Sequence, residues 1–309
     1  MKRFLCIFML GLIPSLATAA QKPMWAFPAT DKVLPATQEL KPPSAPGSAK
    51  TYTRAQIDDP YAPPDWYPEA HPSMPPIVAS GNKATEVRAC ALCHLPSGTG
   101  HDESANLAGM PAAYIVGQIA EYKSGRRKGV ASMIAIAAVI SDAEVAAAAD
   151  YFASLKPRAW VRVVETKTVA KTYIDAGNNR LRLPSGGTES LDGRIIEVPE
   201  DEDAVLNRDP SSGFIAYVPI GSIKKGVALV EDGGGKTVSC FKCHGPELRG
   251  KGEAPPIAGR QATYIVRQLW DFQNGDRVGD AAVPMKATVE KLSVDDMVAL
   301  AAYTASLTP

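Results

Sequence analysis

Apolar positions along this chain follow two periods, and each period predicts a different kind of element. From Ala112 to Lys123, Tyr114, Ile115, Ile119 and Tyr122 recur at three- and four-residue spacing with Gln118 among them, which predicts a helix. Pro111 suits its first turn and Gly125 its C-terminal cap. Ser141-Asp142-Ala143-Glu144 reads as a capping box that opens a second helix, whose Ala-rich face runs to Leu155. Much later the pattern returns, with a helix over Tyr264 to Phe272 and another opened by Ser293-Val294-Asp295-Asp296. Between these stretches the period shortens. Trp160 to Val164, Arg194 to Val198 and Gly213 to Val218 are short β-type runs broken by Gly, Asn, Asp and Pro, so residues 158–220 are expected to form a small sheet or set of hairpins. Glu200-Asp201-Glu202-Asp203 within them reads as a solvated turn.

The two helical stretches are copies of one another. At a constant offset of 150 residues, Leu107-Ala108-Gly109 matches Ile257-Ala258-Gly259 and Tyr114-Ile115-Val116 matches Tyr264-Ile265-Val266. Gln118, Gly125 and Arg127 likewise match Gln268, Gly275 and Arg277. Two extra residues then enter the second copy, and at offset 152 Met133 matches Met285, Ser141 matches Ser293, and Tyr151 to Leu155 matches Tyr303 to Leu307. The chain is an internal duplication, with an arm before it and an insert inside it. The arm, residues 21–79, is proline-rich: 13 of the 26 prolines fall within 21–80. It should be extended, with Trp25, Tyr61, Trp66 and Tyr67 laying parts of it against the body. A tether is the simpler reading of this arm, and a partner-docking segment the other.

Composition narrows the function. A length of 309 residues suits two domains, and 33 Lys+Arg against 33 Asp+Glu gives none of the basic excess of a nucleic-acid binder. Met1-Lys2-Arg3, the apolar run Phe4 to Leu16 and the small residues Ala17 to Ala20 read as an export signal over residues 1–20, since about 13 apolar residues are too few to span a bilayer. Removing Lys2 and Arg3 leaves 31 minus 33, a mildly acidic −2. Of five cysteines, Cys6 lies in the signal.

The other four fall as Cys90-Ala91-Leu92-Cys93-His94 and Cys240-Phe241-Lys242-Cys243-His244. Two copies of C-x-x-C-H are the attachment signature of covalent haem c: each thiol forms a thioether to the porphyrin and the adjacent His faces the iron. A redox dithiol or a zinc site would use C-x-x-C without needing the His after it. Two haems are expected, each adding about −1 in the ferric state once iron, ring and propionates are summed. Methionine is the usual second ligand at raised potential. Met110 aligns with Arg260 and has no counterpart, whereas Met133 and Met285 correspond, so His94 with Met133 and His244 with Met285 are the expected axial pairs. Met24, Met74 and Met297 read as packing or surface residues. His71 and His101 read as surface or loop histidines, with a bis-His site through His101 as the alternative. Tyr114, Gln118 and Arg127, with their repeats Tyr264, Gln268 and Arg277, are candidate haem-pocket or propionate contacts. Each unit is under 100 residues, small for a self-sufficient core, and haem would supply the missing apolar bulk.

These features resemble the dihaem class I cytochromes of the cytochrome c4 type: paired C-x-x-C-H motifs, Ala-Gly-x-x-x-x-Tyr-Ile-Val-x-Gln in both halves, and the closing Ala-Ser-Leu of each. The resemblance covers roughly residues 80–157 and 220–309. It implies a mainly α chain of two tandem class I cytochrome c domains, at 80–157 and 221–309, joined by the β-containing linker 158–220. It also implies His/Met ligation at both irons, a periplasmic location and single-electron transfer between redox proteins of a respiratory chain, from a dehydrogenase donor to an oxidase or other acceptor. The long arm and insert depart from that family. No transmembrane helix is expected in the exported chain, so any docking to a membrane complex would be peripheral. Two alternatives stand beside the carrier: the cytochrome subunit of a periplasmic dehydrogenase complex, and a dihaem peroxidase, which two symmetrical Met ligands disfavour. A thiosulfate-oxidising enzyme with a cysteine ligand would need a fifth exported cysteine.

Overall fold

Ser141 and Ser293 each accept a backbone N–H from the residue three positions on, and Glu144 and Asp296 return a side-chain bond to the serine N–H, so both capping boxes close. In the computed structural model, which describes residues 21–27, 41–101 and 104–309, these boxes open the last long helix of each unit. The export signal lies outside the described residues, as does part of the arm.

Arg54–Ile57 (α1) and Pro76–Ala79 (α2) are single helical turns in the arm. The first unit follows with Cys90–His94 (α3), Ala112–Lys123 (α4), Ala131–Val139 (α5) and Asp142–Ser154 (α6). Helix α4 falls where its spacing predicts, although Pro111 is its N-cap and not its first residue. Its buried Ile115 joins Val145, Ala148, Ala149, Tyr151 and Phe152 of α6 in one apolar cluster with Val78 of the arm. Gly109 donates its N–H to Phe152 O at 3.0 Å, in left-handed backbone (φ 68), and a Cβ there would lie 2.5 Å from Pro157.

The strands lie between residues 161 and 218. Val161–Glu165 (β1), Ile196–Pro199 (β6) and Phe214–Val218 (β7) form a three-stranded sheet in the order β1-β7-β6, with β1 parallel and β6 antiparallel to β7. The crossover between β1 and β7 holds two small pairs: Thr168–Ala170 (β2) with Thr188–Ser190 (β5), and Thr172–Ile174 (β3) with Arg180–Arg182 (β4). It also holds Glu202–Leu206 (α7). The acidic run is therefore not a solvated turn. Asp201 caps α7, Glu202 pairs with Arg182 at 3.1 Å, and Asp203 pairs with Lys41 of the arm at 2.5 Å. Acidic residues gain there from the helix N-terminus.

In the second unit come Ser222–Asp232 (α8), Phe241–His244 (α9), Ala262–Asn274 (α10), Val283–Val289 (α11) and Val294–Ser306 (α12). Helix α12 is sheathed on most sides: Met297, Val298, Ala301, Ala302 and Ala305 are fully buried against α8, α10 and the sheet. Each large apolar side chain so placed contributes about 1.5–3 kcal/mol.

The arm is anchored to the insert. Trp66 is 2 % exposed, donates Nε1 to Asn207 O at 2.8 Å, and packs edge-on to Tyr52. Arg54 reaches Leu206 O and Asn207 Oδ1 at 2.7 and 2.8 Å. The insert in turn seats the second unit: Glu197 on β6, 2 % exposed, accepts the N–H groups of Ala262 and Thr263 and so caps α10.

Candidate functional site

The C-x-x-C-H segment of the first unit is the short helix α3, which carries Cys90, Cys93 and His94 along one turn. Burial disfavours the charged form of His94 and lowers its pKa, while Nδ1 donates to Ala105 O at 2.8 Å. That bond fixes the tautomer and leaves the Nε2 lone pair available as a donor, and Phe152 packs edge-on at 5.9 Å. The second unit repeats the arrangement. His244 Nδ1 donates to Pro255 O at 2.8 Å, and its pKa is lowered by burial in the same way. In both cases the acceptor lies 11 residues after the histidine, so the duplication extends to the groups that aim the imidazoles.

A cavity of about 740 Å³ adjoins α3 and is lined by Cys90, Cys93, His94 and Met133. Met133 enters it from α5. A narrower cleft of about 140 Å³ in the second unit is lined by His244 and by Met285 of α11. Each unit thus brings its C-x-x-C-H histidine and its register-matched methionine to the walls of one space. In the first unit a thiol pair, an imidazole with one nitrogen already committed to a carbonyl, and a thioether share one space, which is the donor set of haem c, so those residues fit that group; the second cleft holds the imidazole and the thioether, with Cys240 and Cys243 outside its lining. Met110 is buried and lies beside both spaces.

The predicted pocket residues meet at the contact between the units. Arg127 donates to Gln118 of its own unit at 2.7 Å and to Gln268 of the other at 2.9 Å. Arg277 does the converse, to Gln268 at 2.9 Å and Gln118 at 2.6 Å. Tyr264 and Tyr114 receive the remaining guanidinium bonds at 3.3 and 3.4 Å. Lys128 N to Asp276 O and Val278 N to Arg126 O complete a short antiparallel bridge around the two arginines. Burial opposes ionisation of Tyr114, but Arg277 and Arg127 outweigh it and hold its phenol below the usual range. All six residues line the second cleft from this shared wall, and all but Arg277 also line the first cavity, so each unit contributes to the other's site.

Several residues at the site carry no repeat signal. Arg260, at the position matching Met110, is 2 % exposed and crosses between units to Asn106 O, Asn106 Oδ1 and Ala108 O. Gln261 beside it donates to Thr99 O. His71 and His101 both lie in loops, but neither is a surface residue. The side chain of His71 is 7 % exposed and sits 3.0 Å from Asp65, a hydrogen bond that raises its pKa. His101 is buried at the wall of the large cavity, 3.0 Å from Arg208, and burial followed by that cation pushes its pKa down to about 3. The partner of His101 comes from 107 residues away, so local sequence gives no sign of it.

Known proteins resemble this chain in sequence. The cytochrome c family model matches residues 223–308. The chain is 26 % identical over 198 residues to a thiosulfate dehydrogenase electron acceptor of Thiomonas intermedia, covering 63 % of this chain and 67 % of that one. It is 25 % identical over 226 residues to cytochrome c4 of Azotobacter vinelandii, covering 69 % and 82 % respectively. With cytochrome c-554(548) of Halomonas halodenitrificans it shares 34 % identity over 72 residues, 23 % of this chain and 87 % of that cytochrome. The repeated haem-attachment motif, its buried histidine and these relatives give one result: the chain belongs to the c-type cytochromes that carry electrons, as a dihaem cytochrome c4-like member.

Proposed function

We propose that this protein is a periplasmic carrier of single electrons that holds two haem groups, on Cys90 and Cys93 and on Cys240 and Cys243. His94 with Met133 and His244 with Met285 would hold the two irons. The tandem domains run over 80–157 and 221–309, with 158–220 between them. Bound haem c supplies a one-electron couple whose potential follows its axial ligands and burial. The chain's own part is to aim the imidazoles through Ala105 O and Pro255 O, to present two thioethers, and to bring the two sites to one wall lined by Arg127 and Arg277.

The observation that carries this reading is the presence of each histidine and its register-matched methionine in one space. A methionine beside each histidine would leave neither iron an open position, which favours a carrier over a peroxidase. Export rests on the Met1 to Ala20 pattern, and no helix among the described residues is long and apolar enough to cross a membrane. For partners, the name of the Thiomonas relative points to a redox protein as donor, and a subunit role beside a dehydrogenase is the second reading.

The test is haem content per chain with optical spectra of the full-length protein, Met133→Ala and Met285→Ala. Wild type should contain two haems and show the thioether-to-iron band. Each variant should retain its haem and lose about half of that band. A single haem, or a band that neither substitution reduces, would refute the assignment.

A further inference from the structure

Outside the two donor sets, the insert delivers one guanidinium to the first cavity and none of its residues to the second cleft. Arg208 follows α7 with left-handed backbone, φ 53, a conformation that costs a non-glycine residue free energy and persists only where contacts hold it. Its Nη1 donates to Leu92 O at 2.7 Å, a carbonyl inside the Cys90–His94 motif, and its Nε donates to Ile57 O of the arm at 2.9 Å. Nη1 also lies 3.0 Å from His101 Nε2. These partners are two carbonyls and an imidazole held neutral, so none of them cancels the positive charge.

The opposing fields come from Cys93, whose charge a thioether to haem would remove, and then from Asp58 and Asp175. Both oxygens of Asp175 are taken by Asn179, at 2.8 and 3.0 Å, and Asp58 is exposed. Burial works against the charged form of Arg208, yet a guanidinium does not deprotonate in proteins. The insert therefore fixes a cation on the wall of the first site, under low screening.

Resting on the assignment of the first haem to Cys90, Cys93, His94 and Met133, we propose that Arg208 raises the reduction potential of the iron held by His94 and Met133, and leaves that of the His244 and Met285 iron unchanged. Reduction removes one positive charge from the site, so a fixed neighbouring cation favours the reduced member of the couple. Arg208 acts as a tuning residue through its field and does not itself ligate. The insert would then make two repeat-related sites unequal, which their matched donor sets alone do not.

The experiment is a spectroelectrochemical titration of the full holoprotein, with haem content and the thioether-to-iron band recorded on the same samples. Arg208→Gln and Arg208→Met should lower one of the two midpoint potentials and leave the other in place, at low and high ionic strength alike. Arg208→Lys should keep it near the wild-type value. Asp58→Asn keeps Arg208 and removes an exposed carboxylate, and at low salt it should move the same midpoint upward, which serves if the neutral variants lose haem. Unmoved midpoints in the neutral variants, equal movement of both, or a fall in Arg208→Lys as large as in Arg208→Gln would overturn the proposal. So would an unmoved midpoint in Asp58→Asn. Wild type with one haem or without the band would instead refute the underlying ligand assignment.

Discussion

Arg277 of the second unit donates to Gln118 of the first at 2.6 Å, and Arg127 returns the bond to Gln268 at 2.9 Å, so two arginines 150 residues apart exchange partners across one contact. Both arginines are under 8 % exposed. Two buried guanidinium groups side by side repel, and the glutamine and tyrosine oxygens between them, with the Tyr122 and Phe272 rings under Arg127 and Arg277 at 4.6 and 4.1 Å, offset that. A single substitution mixes lost bonds with relieved repulsion, and only a double-mutant cycle separates them.

For Arg277→Ala and Gln118→Ala in the holoprotein, the cycle should return a favourable coupling of about 1.5 kcal/mol in denaturant unfolding, the range for a hydrogen bond to a charged group. The Arg127 and Gln268 cycle should return a similar value. Coupling near zero in both would show that these bonds do not hold the units together.

Two glycines in helix interiors should respond in opposite senses. Gly226 on α8 faces α12, and a Cβ there would lie 2.2 Å from Ala299 O and 2.6 Å from Tyr303 Cβ. Alanine gains about 1 kcal/mol of helix propensity, but overpacking against backbone costs about 1–3 kcal/mol, so Gly226→Ala should lower Tm. At Gly117 on α4 a Cβ meets nothing within 4 Å, and Gly117→Ala should raise Tm by the propensity gain alone. Equal shifts in thermal melts would contradict the close α8–α12 approach.

The helices whose signal is local were legible in the sequence. The capping boxes at Ser141 and Ser293 and the span Ala112 to Lys123 depend on neighbours within four residues. Helix α5 was not: Ala-Ser-Met-Ile-Ala-Ile-Ala-Ala-Val is apolar all round, because one side faces the cavity, and an even apolar run carries no 3.6-residue period. The methionine it presents is nevertheless marked in the sequence by the duplication, through Met285. Arg208 and His101 escaped both kinds of signal. They lie outside the matched register, and what buries them is a contact between segments more than 100 residues apart.

The arm should depend on Trp66. Truncating it removes a buried indole and leaves Asn207 O without its donor, so Trp66→Ala should cost about 3–5 kcal/mol at that contact. Limited proteolysis should then cut within residues 41–80 much faster than in wild type. Trp66→Phe keeps most of the bulk and should fall between. Unchanged cleavage in Trp66→Ala would mean that Arg54 and the remaining contacts hold the arm.

Acid sensitivity of the second unit should trace to Asp296. Its side chain is fully buried, and burial raises its pKa, but Lys225 at 2.7 Å and Lys236 at 2.6 Å, with Ser293, outweigh that and hold the carboxyl well below the usual range. A carboxyl depressed in the folded state contributes stability that is fully present above its unfolded value of about 4, and that stability is lost as pH falls through that value toward the folded one. Both lysines are more than a third exposed, so solvent discounts the pair, and Asp296→Asn should cost about 2 kcal/mol at neutral pH. Below pH 4 the variant and wild type should converge, because the wild-type carboxyl surrenders its advantage there. Unfolding curves between pH 7 and 3 read this directly, and a constant difference across that range would show that Asp296 stabilises α12 by packing and capping without its charge.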